Sequence, residues 1–193
     1  MSEEELEILT KIRNNYTEKV TEINLLESQE NLLYDETQNL VIFDGYNLNY
    51  IECVFQVNQT KDAYILLSYL QSNINTGRRN SIGNGLHLVG FKKLTTNFAR
   101  IFIRPQTFED SINDFFNPTE LKFKENPKFS KQFYIHSNNE MALYNFLNSN
   151  RVTNMLPYKD LILEVNEFDL FLKFPMALDE ETFSKLINLL KEL

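Results

Sequence analysis

The 193 residues carry 19 Lys and Arg against 27 Asp and Glu, a formal net charge of −8, with 42% hydrophobic and 24% charged residues. That balance specifies a folded domain with its own core rather than a disordered chain. It also repels phosphate backbones, so nucleic-acid binding, which needs a clustered basic surface, is not expected.

One cysteine excludes an intrachain disulfide, and two histidines without any C-x-x-C or H-x-x-x-H pattern argue against structural zinc. No metal or cofactor is expected. Met1-Ser2-Glu3-Glu4-Glu5 is acidic where a secretory signal would be basic and then apolar. No apolar run approaches the ~18 residues of a membrane span. The expectation is a soluble protein in a reducing, cytoplasmic setting, its charge serving solubility or steering it to a basic partner.

In chain order, the first expected element is an amphipathic helix over about residues 3–32, within an N-terminal unit of residues 1–35. Ser2 and Glu5 form an S-x-x-E capping box, and Glu3, Glu4 and Glu5 suit the positive end of the helix dipole. Leu9, Ile12, Tyr16, Val20 and Ile23 recur at steps of three and four and share one face. That stripe is either a partner-binding arm or the surface that packs on the protein's own sheet. It is too short for a clean coiled coil, which favours packing in cis.

The rest, residues 36–193, reads as a single domain with sub-halves 36–117 and 118–193. Asp44-Gly45 between residues 40–43 and 46–57 is a hairpin signal. Residues 46–57 alternate with period two and place Cys53 on the apolar side, a buried structural thiol rather than a nucleophile. Residues 63–71 fit a helix or a strand, and 72–85 form a loop holding Arg78 and Arg79. Residues 85–91 and 99–104 read as strands and 108–116 as a short helix. Further strands are expected over 120–124, 132–136, 161–165 and 170–174. A helix opens at Asn139-Glu140 with Met141, Tyr144 and Leu147 on one side. Asp179 caps a last helix whose core stripe is Phe183, Leu186, Ile187 and Leu190. Antiparallel strands with helices on one side make the class α+β, mainly antiparallel sheet, plus the N-terminal amphipathic helix.

Residues that could carry chemistry are few. Arg78 and Arg79 in a Gly-containing loop could grip a phosphate or carboxylate, but no G-x-x-x-x-G-K-[ST] or G-x-G-x-x-G motif accompanies them. Arg100 and Arg104 alternate on one strand and face the same way, as an anion clamp or as an ion-paired polar face. His136 and His87 lack a nucleophile at a recognisable spacing, so a hydrolase is a weak third reading.

Six stretches follow one another in a recognisable order: Leu67-Ser68-Tyr69, Thr76-Gly77-Arg78-Arg79, Phe98 through Gln106, Leu121-Lys122-Phe123, Pro127 through Phe133, and Asn139-Glu140. Over roughly its last two-thirds the chain thereby resembles a bacterial domain family, often membrane-anchored, without an established activity. The resemblance implies a strand at 63–71. Gln106 stands where that family carries an acidic residue, the prolines before Phe98 are missing, and a charged helix replaces the membrane helices. The functional expectation is a non-enzymatic module that binds a protein partner, basic in an immunity-like or antitoxin-like version, through Leu9, Ile12, Tyr16, Val20 and Ile23. The alternative is a small-molecule or anion-binding domain using Arg78, Arg79, Arg100 and Arg104.

Overall fold

The computed structural model of the chain describes residues 1–23, 40–43, 46–60, 62–72, 85–107, 123, 125–176 and 178–193. The capping box is formed: Glu5 N–H donates to Ser2 Oγ at 3.2 Å, and Ser2 N–H donates to Glu5 Oε2 at 2.7 Å. Glu5 Oε1 also accepts the Leu86 N–H at 3.1 Å, so the same carboxylate that starts helix α1 (Glu3–Asn15) ties it to the sheet.

The helix ends at Asn15, not near residue 32. Val20–Ile23 forms strand β1, pairing with β2 (Tyr46–Val57) from Val20↔Val57 to Ile23↔Val54. Val20, Thr21 and Ile23 are β-branched and suit a pleated, half-buried surface. Residues 40–43 also differ from expectation, because Val41–Phe43 is a 3₁₀ turn rather than a strand. Asp44-Gly45, the 72–85 loop beyond its first and last residues, the 108–116 helix and most of 120–124 lie outside the described residues.

The remaining strands are β3 (Ala63–Ser72), β4 (Gly85–Lys93), β5 (Arg100–Pro105), β6 (Phe133–Ser137), β7 (Ile162–Asn166) and β8 (Asp169–Lys173). They form one eight-stranded sheet in the order β1-β2-β3-β4-β8-β7-β5-β6, antiparallel at every pairing. The other α-helices among the described residues are α2 (Pro127–Gln132), α3 (Glu140–Phe146), α4 (Ser149–Met155) and α5 (Glu180–Glu192). The fold class is α+β.

The five α-helices among the described residues bury their apolar residues against the same side of the sheet. Leu9 and Ile12 of α1, Phe129 of α2, Phe146 of α3, Met155 of α4 and Phe183 of α5 join Phe55, Ile65, Leu88, Leu172 and Ile103 in one large core. A smaller core on the opposite, outer face holds Leu48, Val54, Leu66, Val89, Phe91 and Phe171, with Ile42 and Phe43 of the 3₁₀ turn laid over them. Because β4 is covered on both faces, its residues from Leu86 to Phe91 are all buried, and its sequence does not alternate.

The sheet has local irregularities that the sequence pattern does not show. β-bulges between Leu48/Tyr50 and Ile51/Cys53 shift the register of β2, so Ile51 packs with the outer core while Cys53 packs with the main one. Burial pushes the Cys53 thiol up to about 12, which holds it protonated and unreactive. In α3, Leu147 is buried and Tyr144 packs against the main core as expected, but Met141 is 76% exposed and Leu143 and Phe146 take the remaining buried positions. Helices α2 and α4, neither expected, are capped by Asn126 ahead of Pro127 and by Asn148. Among the described residues no helix is long and apolar enough to cross a membrane.

Helix α5 approaches the sheet closely at Gly90. A Cβ there would sit 3.2 Å from Leu186 Cδ2, 3.3 Å from Leu172 Cβ and 3.4 Å from Leu190 Cδ1. Gly90→Val adds two further methyls to that gap and should push α5 off the sheet, costing about 1–3 kcal/mol as overpacking does. A shifted urea midpoint measures this. Unchanged stability would mean that α5 is not seated as described.

Candidate functional site

The outer face changes character from one side of the sheet to the other. Over β2, β3 and β4 it is mainly apolar, with Ser68 and His87 buried side by side among the hydrophobic residues. Over β8, β7, β5 and β6 the register brings together Lys173 beside Ile162, Phe171 beside Glu164 beside Phe102, and Phe102 beside His136, with Arg104 opposite Tyr134. Each of these charged residues shares a strand face with apolar neighbours because side chains on one face recur every second residue.

Two of them are buried. Glu164 is completely covered and Lys173 is 5% exposed. Both hold the 3₁₀ turn. The Ile42 N–H donates to Glu164 Oε2 at 2.8 Å, and Lys173 Nζ donates to the Ile42 carbonyl at 3.3 Å. The other Glu164 oxygen, Oε1, accepts Arg100 Nε at 3.2 Å and Nη2 at 2.9 Å. The N–H and the C=O of one residue, Ile42, are thus both held by a line of side chains running Arg100–Glu164–Ile42–Lys173 across three strands. A buried carboxylate is tolerable here because both of its oxygens accept hydrogen bonds.

Lys173 is satisfied differently. Its ammonium lies 4.6 Å from the Tyr46 ring centroid and 5.9 Å from that of Phe43. Among the described residues no carboxylate lies within ion-pair distance of it. Burial pulls its pKa down from 10.5 to about 8.

Beside this amine a cleft of about 330 Å³ opens between the 3₁₀ turn and the sheet. Val41, Ile42, Tyr46, Phe102, Ile162 and Pro175 form its walls, and Lys173 and Arg104 bring two cationic side chains to it. The Arg104 guanidinium stacks 4.4 Å over the Tyr134 ring, and its Nη1 donates to the Pro105 carbonyl at 3.1 Å. A second hollow, of about 370 Å³, lies at the other end of the sheet by Arg13, Val20, Glu22 and Phe55. There Arg13 already meets Glu22 in a two-pronged pair at 2.8 and 2.7 Å, so the charge is internally matched.

The sequence-derived candidates fall as follows. Arg100 and Arg104 do share the outer face. Arg100 is committed to Glu164, whereas Arg104 lines the cleft. Arg78 and Arg79 lie outside the described residues. Leu9, Ile12 and Val20 are buried in the main core, Tyr16 packs edge-on against Phe183 at 5.2 Å, and Ile23 is half-buried against the outer core. The stripe is therefore spent within the chain and is not an open partner-binding face.

His136 is exposed on β6. The neighbouring Ser137 hydroxyl lies 3.0 Å from the carbonyl oxygens of Arg100 and Asn139 and accepts the Asn139 N–H at 3.1 Å, which commits it to a turn. His87 is buried against Tyr46, ring centroids 6.0 Å apart. Among the described residues no group of three or more His, Cys, Asp and Glu side chains could hold a metal ion.

Sequence reasoning missed Lys173 and Glu164. Their signal was present: a single charge inside each of two apolar runs, Leu161-Ile162-Leu163-Glu164-Val165 and Leu170-Phe171-Leu172-Lys173-Phe174. A charge in a strand buried on both faces has to find a partner or a site. Comparison of the chain with protein-family models, with curated proteins and with solved structures finds no match.

Proposed function

We propose that the protein binds a small organic anion in the outer-face cleft, with Lys173 and Arg104 as its cationic contacts and Tyr46, Phe102, Ile162 and Pro175 as the apolar walls. The observation that carries this reading is Lys173: a buried amine at a cleft, held by one carbonyl and two ring faces and by no carboxylate among the described residues. Ligand sites combine apolar walls with a few convergent polar groups in this way. A bound carboxylate would supply a charge partner that Lys173 does not find among the described residues.

Titration calorimetry against aliphatic and aromatic carboxylates tests it. Wild type should bind members of this panel, and Lys173→Met should weaken binding about tenfold or more, the loss of one charge-assisted contact. Affinity should fall as pH rises through about 8, where the ammonium is lost. Binding that ignores both the substitution and the pH would sink the proposal.

The same titration acts on stability, with the opposite sense. Between pH 8 and 10.5 the unfolded chain keeps the Lys173 proton that the folded chain has released, so the unfolded state binds more protons. Lys173 therefore makes stability rise with pH across that window. Denaturant titrations at both ends should show this rise in wild type and a smaller one in Lys173→Met.

A second reading keeps the protein-interaction role but moves it to the solvent face of α1, where Glu3, Glu4 and Glu7 are exposed. These charges support steering toward a basic partner. Capture of a stoichiometric basic partner that is lost at high salt, and lost again when the three glutamates become glutamines, would support it. Capture unaffected by those changes would remove it.

A further inference from the structure

We propose that the anion taken by the Lys173–Arg104 cleft is an oxo acid, its carboxylate held by Arg104 and its carbonyl carbon captured by the Lys173 amine as an imine. This rests on the anion-binding reading above and adds the reactive half of the ligand.

The geometry places a primary amine and a guanidinium at one concavity. Arg104 on β5 and Lys173 on β8 lie on the same face with β7 between them, where Ile162 pairs with Lys173. Two strand spacings set their backbones about 10 Å apart, and both long side chains reach the cleft that spans this gap. A ligand touching both must present an anion at one end and a group that an amine engages at the other.

A buried lysine serves two kinds of chemistry, ion pairing as the ammonium and nucleophilic addition as the free amine. Here burial favours the free amine, pulling the pKa down to about 8. The hydrogen bond to the Ile42 carbonyl uses one N–H and restrains the nitrogen while leaving its lone pair.

The step balances without an oxidant or reductant. The Nζ lone pair forms a bond to the carbonyl carbon as the C=O π pair moves to oxygen, which takes up one of the two Nζ protons. The resulting carbinolamine loses its hydroxyl as water together with the second Nζ proton, and the C=N bond forms. One water is released, and hydrolysis reverses the step.

The test is reductive trapping with sodium cyanoborohydride on the full chain at pH 8, using pyruvate and levulinate as probes and lactate as the carbonyl-free control. Peptide mapping locates the adduct. Saturable trapping at Lys173, at least about tenfold faster than at surface lysines and slowed by lactate, is the expected result. Arg104→Gln should raise the half-saturating oxo-acid concentration severalfold. Adducts spread over surface lysines overturn the inference, as does an Arg104→Gln variant that traps oxo acids like wild type. Oxo acids and lactate binding alike with no adduct at Lys173 overturn the imine and leave anion binding standing. No binding of any of the three overturns both. Because mapping is done on the wild-type chain, the main result does not depend on a Lys173 variant folding.

Discussion

Phe183→Ala is expected to lower stability by about 3–5 kcal/mol, the cost of deleting a fully buried aromatic ring. Phe183 has no exposed surface. Its ring stands edge-on to Tyr16 at 5.2 Å and to Phe55 at 5.3 Å, with interplanar angles of 77° and 84°. Those three rings come from the end of α1, from β2 and from α5, so one side chain joins three elements that are far apart in sequence. Edge-to-face pairs contribute about 0.5–1.5 kcal/mol beyond area burial. Relaxation into the gap would require α1 or α5 to move as a whole, and α5 is already held at van der Waals contact over Gly90. Urea unfolding should show a lower midpoint with an unchanged slope. A loss under about 1 kcal/mol, the scale of a site that collapses freely, would contradict this packing.

Glu164→Ala is the second large effect, expected at about 2–3 kcal/mol because hydrogen bonds to a charged group are lost and a buried donor is left behind. The Ile42 N–H loses its acceptor, and the Arg100 guanidinium loses its carboxylate. Arg100 is 44% exposed and can return to water, which keeps the penalty below that of a fully buried pair. The distinguishing observation is local. Hydrogen exchange at the Ile42 amide should accelerate more than at the amides of the β3–β4 ladder, because the turn loses one of its two anchors. Glu164→Gln keeps an acceptor for Ile42 and should cost less. If the two variants were equally destabilised, the charge on Glu164 rather than its bond to Ile42 would be what holds the turn. The anion affinity of the cleft should fall in Glu164→Ala, since Val41 and Ile42 form one of its walls.

Much of the fold is legible in the chain because the signals are local. The Ser2/Glu5 capping box, the Asp179 cap with its Phe183–Leu190 stripe, the alternating strand 46–57 and the paired strands around Glu167-Phe168 depend only on neighbours in sequence. The α+β class follows from their order. Two elements at the N-terminal end resisted the same reasoning. A stripe at steps of three and four over Leu9–Ile23 fits a continuous helix, yet Val20–Ile23 gains more by closing the edge of the sheet on Val54–Val57. Residues 40–43 look like a strand, yet they form a turn, because Glu164 and Lys173, more than a hundred positions away, bind the N–H and the C=O of Ile42.

The sequence by itself determined the class, the charge and most strand and helix positions, since propensity, capping and periodicity act over a few residues. Only the tertiary structure decided that the hydrophobic stripe of α1 is covered in cis and that Arg100 is paired. It alone made Lys173, an unremarked charge in an apolar strand, the amine at a cleft. These outcomes depend on which distant strands lie side by side, and the pairing energies that choose them belong to contacts between residues that no local pattern links.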